Sequence, residues 1–433
     1  MLQAYAEHGL TARATFELYV RSLPERRNYL LACGLEDALA YLEGLRFGEE
    51  ALAALERGAR FPASFLDWLA GLRFTGDVYA MPEGTPAFAG EPLLTVEAPL
   101  PEAQLAETYL LNQLHLQTVI ASKGARIVEA AAGRPVVDFG TRRAHGTDAA
   151  LKAARALYIA GMTATSNVLA ADRYGIPPTG TMAHSYVQAH DDEAEAFRSF
   201  VATHPETVLL VDTYDTAEGV RRVARLAAEL GDAFRVHAVR LDSEPLGELA
   251  FEARAILDAA GLERVEIFAS GGLDELRIAE LVAAGAPIDA FGVGTRAAAS
   301  ADAPTLDAVY KLAAYDGRGR IKLSAAKETL PGRKQVFRLR DAAGLARGDV
   351  IARAAERLEG EPLLEQVMRG GERLEAGMRT LEDARERAAA ERERLPAALE
   401  APDVPYPVEV STALRAEAEA LRDELRGTPG APS

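Results

Sequence analysis

From residue 135 onward, short apolar runs alternate with helical segments at the spacing of parallel βα units, and no other feature limits the fold as strongly. The run 135–139 precedes an expected helix at 147–160, 207–211 precedes 217–230, and 234–239 precedes 247–260. The runs 265–269 and 288–291 each lead into a further helix, the first of them at 274–284. Five or six such units in a row point to an α/β fold built on a parallel barrel. A doubly wound open sheet is the alternative that rhythm alone leaves standing.

The flanks follow other patterns. The first hundred residues read as mixed α/β, with helices at 2–8 and 35–45 and strands at 14–20, 77–80 and 92–96 between Pro and Gly turns. A helix rich in Leu, Gln and Ala is expected over 101–133. Beyond the βα region, a strand is expected around 335–338 and a charged helix at 363–395, a solvated face to which no chemistry is assigned. Pro402 to Pro407 breaks that helix, and the tail 427–433 reads as disordered.

Composition narrows the partners. A length of 433 residues suits two or three domains, and 48% hydrophobic with 26% charged residues is an ordinary globular balance. A formal net charge of -17 argues against gripping nucleic acid or an anionic membrane with the whole surface. Any phosphate must then be met by a local basic site. Cys33 is the single cysteine, which excludes an internal disulfide and a Cys-based zinc cluster; it lies in the apolar run 29–33 and reads as a buried small side chain. With no secretory pattern at the start and no apolar run of about 18–20 residues, the cytosol is the expected compartment.

In a parallel barrel the functional groups lie where strands run into helices. Those positions hold Phe139 to Gly146 with Arg142 and Arg143, the segment Gly180-Thr181-Met182-Ala183-His184-Ser185, Asp212-Thr213-Tyr214-Asp215, Arg240-Leu241-Asp242-Ser243, Ser270-Gly271-Gly272, and Gly292-Val293-Gly294-Thr295. Two glycine turns one strand apart suit a single phosphate, because glycine lets backbone N–H groups approach the oxygens. Each alone could be only a tight turn. Arg142 and Arg143 suit a carboxylate or phosphate, or a structural ion pair. Asp212, Asp215 and Asp242 could hold a magnesium-bound polyphosphate or ribose hydroxyls, and Asp215 could equally cap a helix. His184 is a candidate catalytic group or a structural histidine.

The motif Asp138-Phe139-Gly140-Thr141-Arg142-Arg143-Ala144-His145-Gly146, followed by 180–185, resembles the nicotinate phosphoribosyltransferase family. The segments 14–21, Tyr310-Lys311-Leu312 and Ile321-Lys322-Leu323-Ser324 match the same family, and the likeness covers most of residues 1–340. It implies an irregular, TIM-like parallel α/β barrel with an N-terminal α/β sandwich domain that the chain revisits. The corresponding boundaries are a sandwich over 1–120, completed by about 320–355, a barrel over 121–320, and a mostly helical extension over 356–433. The implied reaction joins nicotinate to phosphoribosyl pyrophosphate, with Mg²⁺, giving nicotinate mononucleotide and pyrophosphate for NAD salvage. ATP hydrolysis drives it through a phosphohistidine, and that histidine falls on His184.

Carried over by position, Phe139 stacks on the pyridine ring, Arg142 meets the nicotinate carboxylate, and Thr181 belongs to the same subsite. Arg240 and Asp242 contact the ribose and phosphates of the sugar donor. Ser270, Gly271, Gly272, Gly292, Gly294 and Thr295 hold the 5′-phosphate. Arg21, Lys322 and Lys327 neutralise pyrophosphate or ATP phosphates, and members usually form homodimers whose sites use both chains. No metal ligands are assigned. The chemistry agrees: loss of pyrophosphate builds positive charge at C1 of the ribose, and a pyridine nitrogen carries its own lone pair, so no general base is needed.

Two departures stand out. The family opens with a Thr-Asp-x-Tyr segment whose tyrosine covers the other face of the ring, whereas Met1-Leu2-Gln3-Ala4-Tyr5 matches the helix after it. Either the start lies upstream or this form lacks half of its ring sandwich. Some members also carry a C-terminal zinc-binding cysteine cluster, which Cys33 alone cannot form. The competing expectations are a nicotinamide phosphoribosyltransferase, for which Arg142 would lack a charge to meet, a shorter quinolinate-type enzyme, a non-catalytic binding protein on the same barrel, and a generic sugar-phosphate enzyme such as an aldolase.

Overall fold

A computed structural model describes residues 1–58, 60–324 and 329–427. Lys327 and the tail beyond residue 427 lie outside them. The chain divides into two compact units, one of Ile120–Pro304 and one of Met1–Val119 with Thr305–Ser433.

The first of these units is built on six strands: β1 (Val136–Asp138), β2 (Ala164–Thr165), β3 (Val208–Leu210), β4 (Ala238–Leu241), β5 (Glu266–Ser270) and β6 (Ala290–Val293). Their order is β2-β1-β6-β5-β4-β3, and every pairing is parallel. Taken around a circle that order is consecutive, as in a barrel, with one opening between β2 and β3. The six strands thus form a curled parallel half-barrel sheet within a mixed α/β fold, the coarser part of the irregular barrel expected. The opening has a local cause. Strand β2 is two residues long, and its outer edge is taken by the segment 177–179 through Thr165 N–H to Pro177 C=O (3.0 Å) and Thr179 N–H to Thr165 C=O (2.9 Å). Pro177 and Pro178 have no N–H to donate, so the pairing cannot propagate.

The expected helices of this unit form within a residue or two of their predicted bounds, at Thr147–Ile159, Thr216–Leu230, Leu246–Ala259 and Glu275–Ala283. Asp215 and Asp274 cap two of them, accepting from the N–H of Glu218 and of Arg277. Val137, Ala238, Phe268 and Ala290 form an apolar cluster against which Phe139, Ala164 and Val208 pack. Two strands are displaced from expectation. Phe234 and Val236 bury their side chains as strand residues would, but the ladder starts only at Ala238, so Arg240 lies inside β4. Likewise β6 runs to Val293, so Gly292 is a strand residue rather than a turn residue.

In the second unit the chain returns after Pro304 to pair Ala308–Tyr315 with Arg13–Val20, antiparallel, and the latter pairs in turn with Pro92–Pro99. This seven-stranded sheet also holds Asp77–Ala80 and Glu365–Arg369. A four-stranded sheet joins Glu361–Pro362, Lys334–Arg340, Ala346–Arg353 and Val408–Val410. Between its strands, fully buried Arg338 pairs with Asp349 at 2.6 Å, and the Tyr406 hydroxyl donates to the same carboxylate at 2.9 Å.

The helix expected over 363–395 is therefore broken into different pieces. Glu365–Arg369 is a strand paired with Asp77–Ala80, and Gly370 and Gly371, both at positive φ, turn the chain. Within this range an α-helix forms only at Leu381–Glu393, where Thr380 and Asp383 make a reciprocal capping box. Among its described residues, the stretch 356–433, expected as a mostly helical extension, carries strands of both sheets as well as two α-helices and two short 3-10 turns.

Candidate active site

The C-terminal ends of the parallel strands open into a cleft of about 330 Å³ lined by Phe139, Arg142, Thr181, His184, Arg240 and Asp242, with Thr141, Ser166 and Met182 beside them. That is the lower end of the size usual for small-molecule sites.

Asp138, at the end of β1, shapes the first wall. Its Oδ1 accepts from Gly140 N–H at 2.7 Å and its Oδ2 from the Thr165 hydroxyl at 2.7 Å. Burial pushes this carboxyl above its ordinary range, partly offset by those two donors. The turn so fixed is tight, because a Cβ on Gly140 would lie 2.4 Å from that of Ala298. Phe139 then faces into the cleft, tilted 47° against Phe268, with the Arg240 guanidinium carbon 5.3 Å from its ring centroid. Arg142 is exposed and makes no ion pair among the described residues, so the structural-pair alternative does not apply to it.

Arg240 is committed in every direction. It donates from Nε to the Ser270 hydroxyl at 2.7 Å, from one terminal nitrogen to Thr181 Oγ1 at 2.7 Å, and from the other to Asp242 Oδ1 at 2.9 Å. Ser270 in turn donates to Asp242 Oδ1 at 2.5 Å. Asp212 holds the backbone of this group by accepting from Asp242 N–H at 2.6 Å. Burial alone would raise the Asp242 carboxyl, but the Ser270 hydroxyl, the Arg240 guanidinium and His184 together hold it below the usual carboxylate range. His184 begins the short helix His184–Gln188, with Nδ1 3.2 Å from Thr213 Oγ1 and Nε2 3.7 Å from Asp242 Oδ2.

Residues 1–115 match the family described as the nicotinate phosphoribosyltransferase N-terminal domain, and residues 120–309 match the quinolinate phosphoribosyl transferase C-terminal domain. The chain is 53% identical to a nicotinate phosphoribosyltransferase of Mycobacterium tuberculosis, over 99% of this chain and 94% of that one. The chain belongs to the nicotinate phosphoribosyltransferase family. A Bacillus subtilis member is 44% identical over 78% of this chain and 71% of its own. The crystal structure of human nicotinic acid phosphoribosyltransferase superposes with a TM-score of 0.86, at 28% identity, covering 97% of this chain and 98% of the human one.

Within this family member, one unit brings together most of the predicted residues: Phe139, Arg142, Thr181, His184, Arg240 and Asp242 line the cleft, and Ser270 lies at the end of β5, bonded to Arg240 and Asp242. Gly271 and Gly272 turn the chain there at φ of +92° and +65°; a Cβ on Gly271 would strike Asp242 C=O at 2.5 Å. Gly294 and Thr295 follow β6, with Thr295 exposed. Gly292 instead lies beneath the Phe139 ring. Arg21 and Lys322 belong to the other unit, where Arg21 pairs with Asp307 at 3.2 Å and Lys322 is exposed. Asp215 is the helix cap that its alternative foresaw. Sequence reasoning gave no role to Thr213, whose only signal was position at a strand end, and it did not foresee the bonds of Ser270 to Arg240 and Asp242.

Proposed function

We propose that the chain forms nicotinate mononucleotide and pyrophosphate from nicotinate and phosphoribosyl pyrophosphate, as its relatives are named for doing. The single observation that carries this reading is Arg142, a guanidinium with no ion pair among the described residues that lines the cleft together with the Phe139 ring. Phe139 stacks on the pyridine ring and Arg142 takes its carboxylate, a charge that nicotinamide lacks. Three of the Arg240 donors are taken by Ser270, Thr181 and Asp242, so among the described residues that line the cleft Arg142 is the guanidinium without an ion pair, which suits one carboxylate.

The pyridine nitrogen attacks C1 of the ribose as the C1–oxygen bond breaks and pyrophosphate leaves. Arg240 and Asp242 orient the sugar, and the backbone turns at Gly271, Gly272, Gly294 and Thr295 receive the 5′-phosphate. Among the described residues no cluster of three or more His, Cys, Asp or Glu side chains could hold a metal ion unaided. That suits Mg²⁺ carried in by the donor's pyrophosphate, since this ion commonly binds through phosphates and one or two carboxylates. Asp212, one of whose oxygens is buried without a partner, and Asp242 would hold it there, where it would offset charge on the leaving group.

ATP enters as a co-substrate whose γ-phosphoryl group passes to His184, coupling its hydrolysis to synthesis. A homodimer with shared sites is the proposed assembly, and the cytosol the proposed compartment; among the described residues no helix is long and apolar enough to cross a membrane. The deciding experiment measures nicotinate mononucleotide from nicotinate, phosphoribosyl pyrophosphate and Mg²⁺, with and without ATP, beside the same mixture with nicotinamide. Product from nicotinate, increased by ATP, is expected. Preference for nicotinamide, or binding of both substrates without product, would overturn the assignment.

A further inference from the structure

The segments that follow the glycine turns after β5 and β6 each present one carboxylate, and both carboxylates meet the same buried ammonium. Lys123 lies on the helix Leu100–Ala130, in the part that belongs to the half-barrel unit, and its side chain is 3% exposed. Its Nζ stands 2.8 Å from Glu275 Oε1, 2.6 Å from Glu275 Oε2 and 2.8 Å from Asp302 Oδ1. Glu275 opens the helix that follows Gly271 and Gly272 and that Asp274 caps. Asp302 comes after the short helix Thr295–Ala298. The chain between is laced by Ala299 N–H to Thr295 C=O (3.1 Å), Ala301 N–H to Arg296 C=O (3.2 Å) and the Ser300 hydroxyl to Ala303 C=O (2.8 Å). A second, looser contact joins the same two segments directly, Arg296 Nε to Asp274 Oδ2 at 4.0 Å.

An ammonium withdrawn from water keeps its carboxylates close, because the loss of one leaves charge buried without its partner. One atom therefore sets how far Glu275 stands from Asp302, and with it how far the first turn stands from the second. A phosphate received by backbone N–H groups of two turns needs them at one separation, since such donors cannot swing to follow it. We infer that Lys123 is a positioning residue for phosphoribosyl pyrophosphate, holding the two turns at the separation that one 5′-phosphate bridges without itself touching the ligand. The inference rests on the reading that these turns receive the 5′-phosphate, and deepens it.

The test measures calorimetric binding of ribose 5-phosphate, which carries the phosphate and no leaving group, to the full chain, beside steady-state kinetics on both substrates. Thr295→Glu sets a negative charge on the second turn and so locates the ligand. The unsubstituted chain should bind ribose 5-phosphate and this variant should not; the opposite of either result overturns the phosphate reading of the turns, and the inference with it. Lys123→Met removes the ammonium. Asp302→Asn keeps Lys123 paired with Glu275 and loosens only the second turn, so it serves even where the methionine variant fails to fold. Each should weaken ribose 5-phosphate, and raise the KM for phosphoribosyl pyrophosphate, by about tenfold, part of the roughly hundredfold that a 1 Å misplacement can cost, with the KM for nicotinate unchanged. Arg222→Gln breaks the ion pair with Glu193 in the same unit and is the control for lost stability; it should melt earlier yet bind ribose 5-phosphate as the unsubstituted chain does. Unchanged affinity in Asp302→Asn, equal losses for nicotinate and the sugar donor, or a matching loss in Arg222→Gln would overturn the part given to Lys123 while the phosphate reading stands.

Discussion

The Phe139 ring occupies the space that a side chain on Gly292 would need: a Cβ there would come within 2.7 Å of a ring carbon of Phe139 and 2.9 Å of one of Phe268. A glycine in the middle of a buried strand is therefore part of the aromatic subsite. It leaves room for that ring.

Gly292→Ala should accordingly disturb nicotinate before it disturbs the sugar donor. Overpacking of this kind costs about 1–3 kcal/mol, shared between stability and ring placement. Steady-state kinetics on both substrates, with a thermal melt, check it. A lowered melting temperature with an unchanged KM for nicotinate would detach Phe139 from substrate binding.

Arg142→Ala should raise the KM for nicotinate by about 2 kcal/mol, the worth of a hydrogen bond to a charged group, with little change for phosphoribosyl pyrophosphate. Equal effects on both substrates would reject the carboxylate assignment.

His184→Ala should abolish the increase in synthesis that ATP brings, together with ATP hydrolysis. Phosphate release from ATP, measured beside nucleotide formation, tests this directly. Undiminished hydrolysis in the variant would remove His184 from the coupling step.

Ser270→Ala should move the acid limb of the pH–rate profile to higher pH. Asp242 is held below its ordinary value of 3.8 partly by the Ser270 hydroxyl, and removing that donor lets the carboxyl rise. The same depression fixes the sign for stability. The contribution of Asp242 is present above its ordinary value and is lost as pH falls through the lower folded value, so the variant should lose it at a higher pH than the unsubstituted chain. An unmoved acid limb would show that Asp242 does not govern it.

Arg338→Met should lower the unfolding free energy by about 3–5 kcal/mol, because it leaves the Asp349 carboxylate buried without its cation. Urea denaturation measures this, and adding Asp349→Leu should recover part of the loss.

Much of the half-barrel was legible because its strands are apolar and its helices carry Asp caps, as at Asp215 and Asp274. The site residues stood out as polar groups where apolar runs end. What the sequence hid was pairing. Nothing in the alternation at Phe234 and Val236 says that the ladder starts at Ala238, and so Arg240 was read as a loop residue. The charge-rich stretch after Leu363 looked helical because its strand, Glu365–Arg369, takes its stability from a partner nearly three hundred residues earlier in the chain. The cues for the true helix were local: Gly370-Gly371, and the Thr380 and Asp383 pair. Likewise Thr213 meets His184 only through the fold, so no local spacing could announce it.

The opening between β2 and β3 also bears on how such a site can vary. A closed ring of strands has a set circumference, and lengthening any one stretch strains all its neighbours. Here the segment that carries Thr181 and His184 spans the one place where the ring is not laced by a continuous ladder. Residues can be added or removed there without re-registering the strands that support Phe139 and Asp242. The part that carries His184 can change its reach while the part that carries Phe139 keeps its place, so the two are free to drift apart.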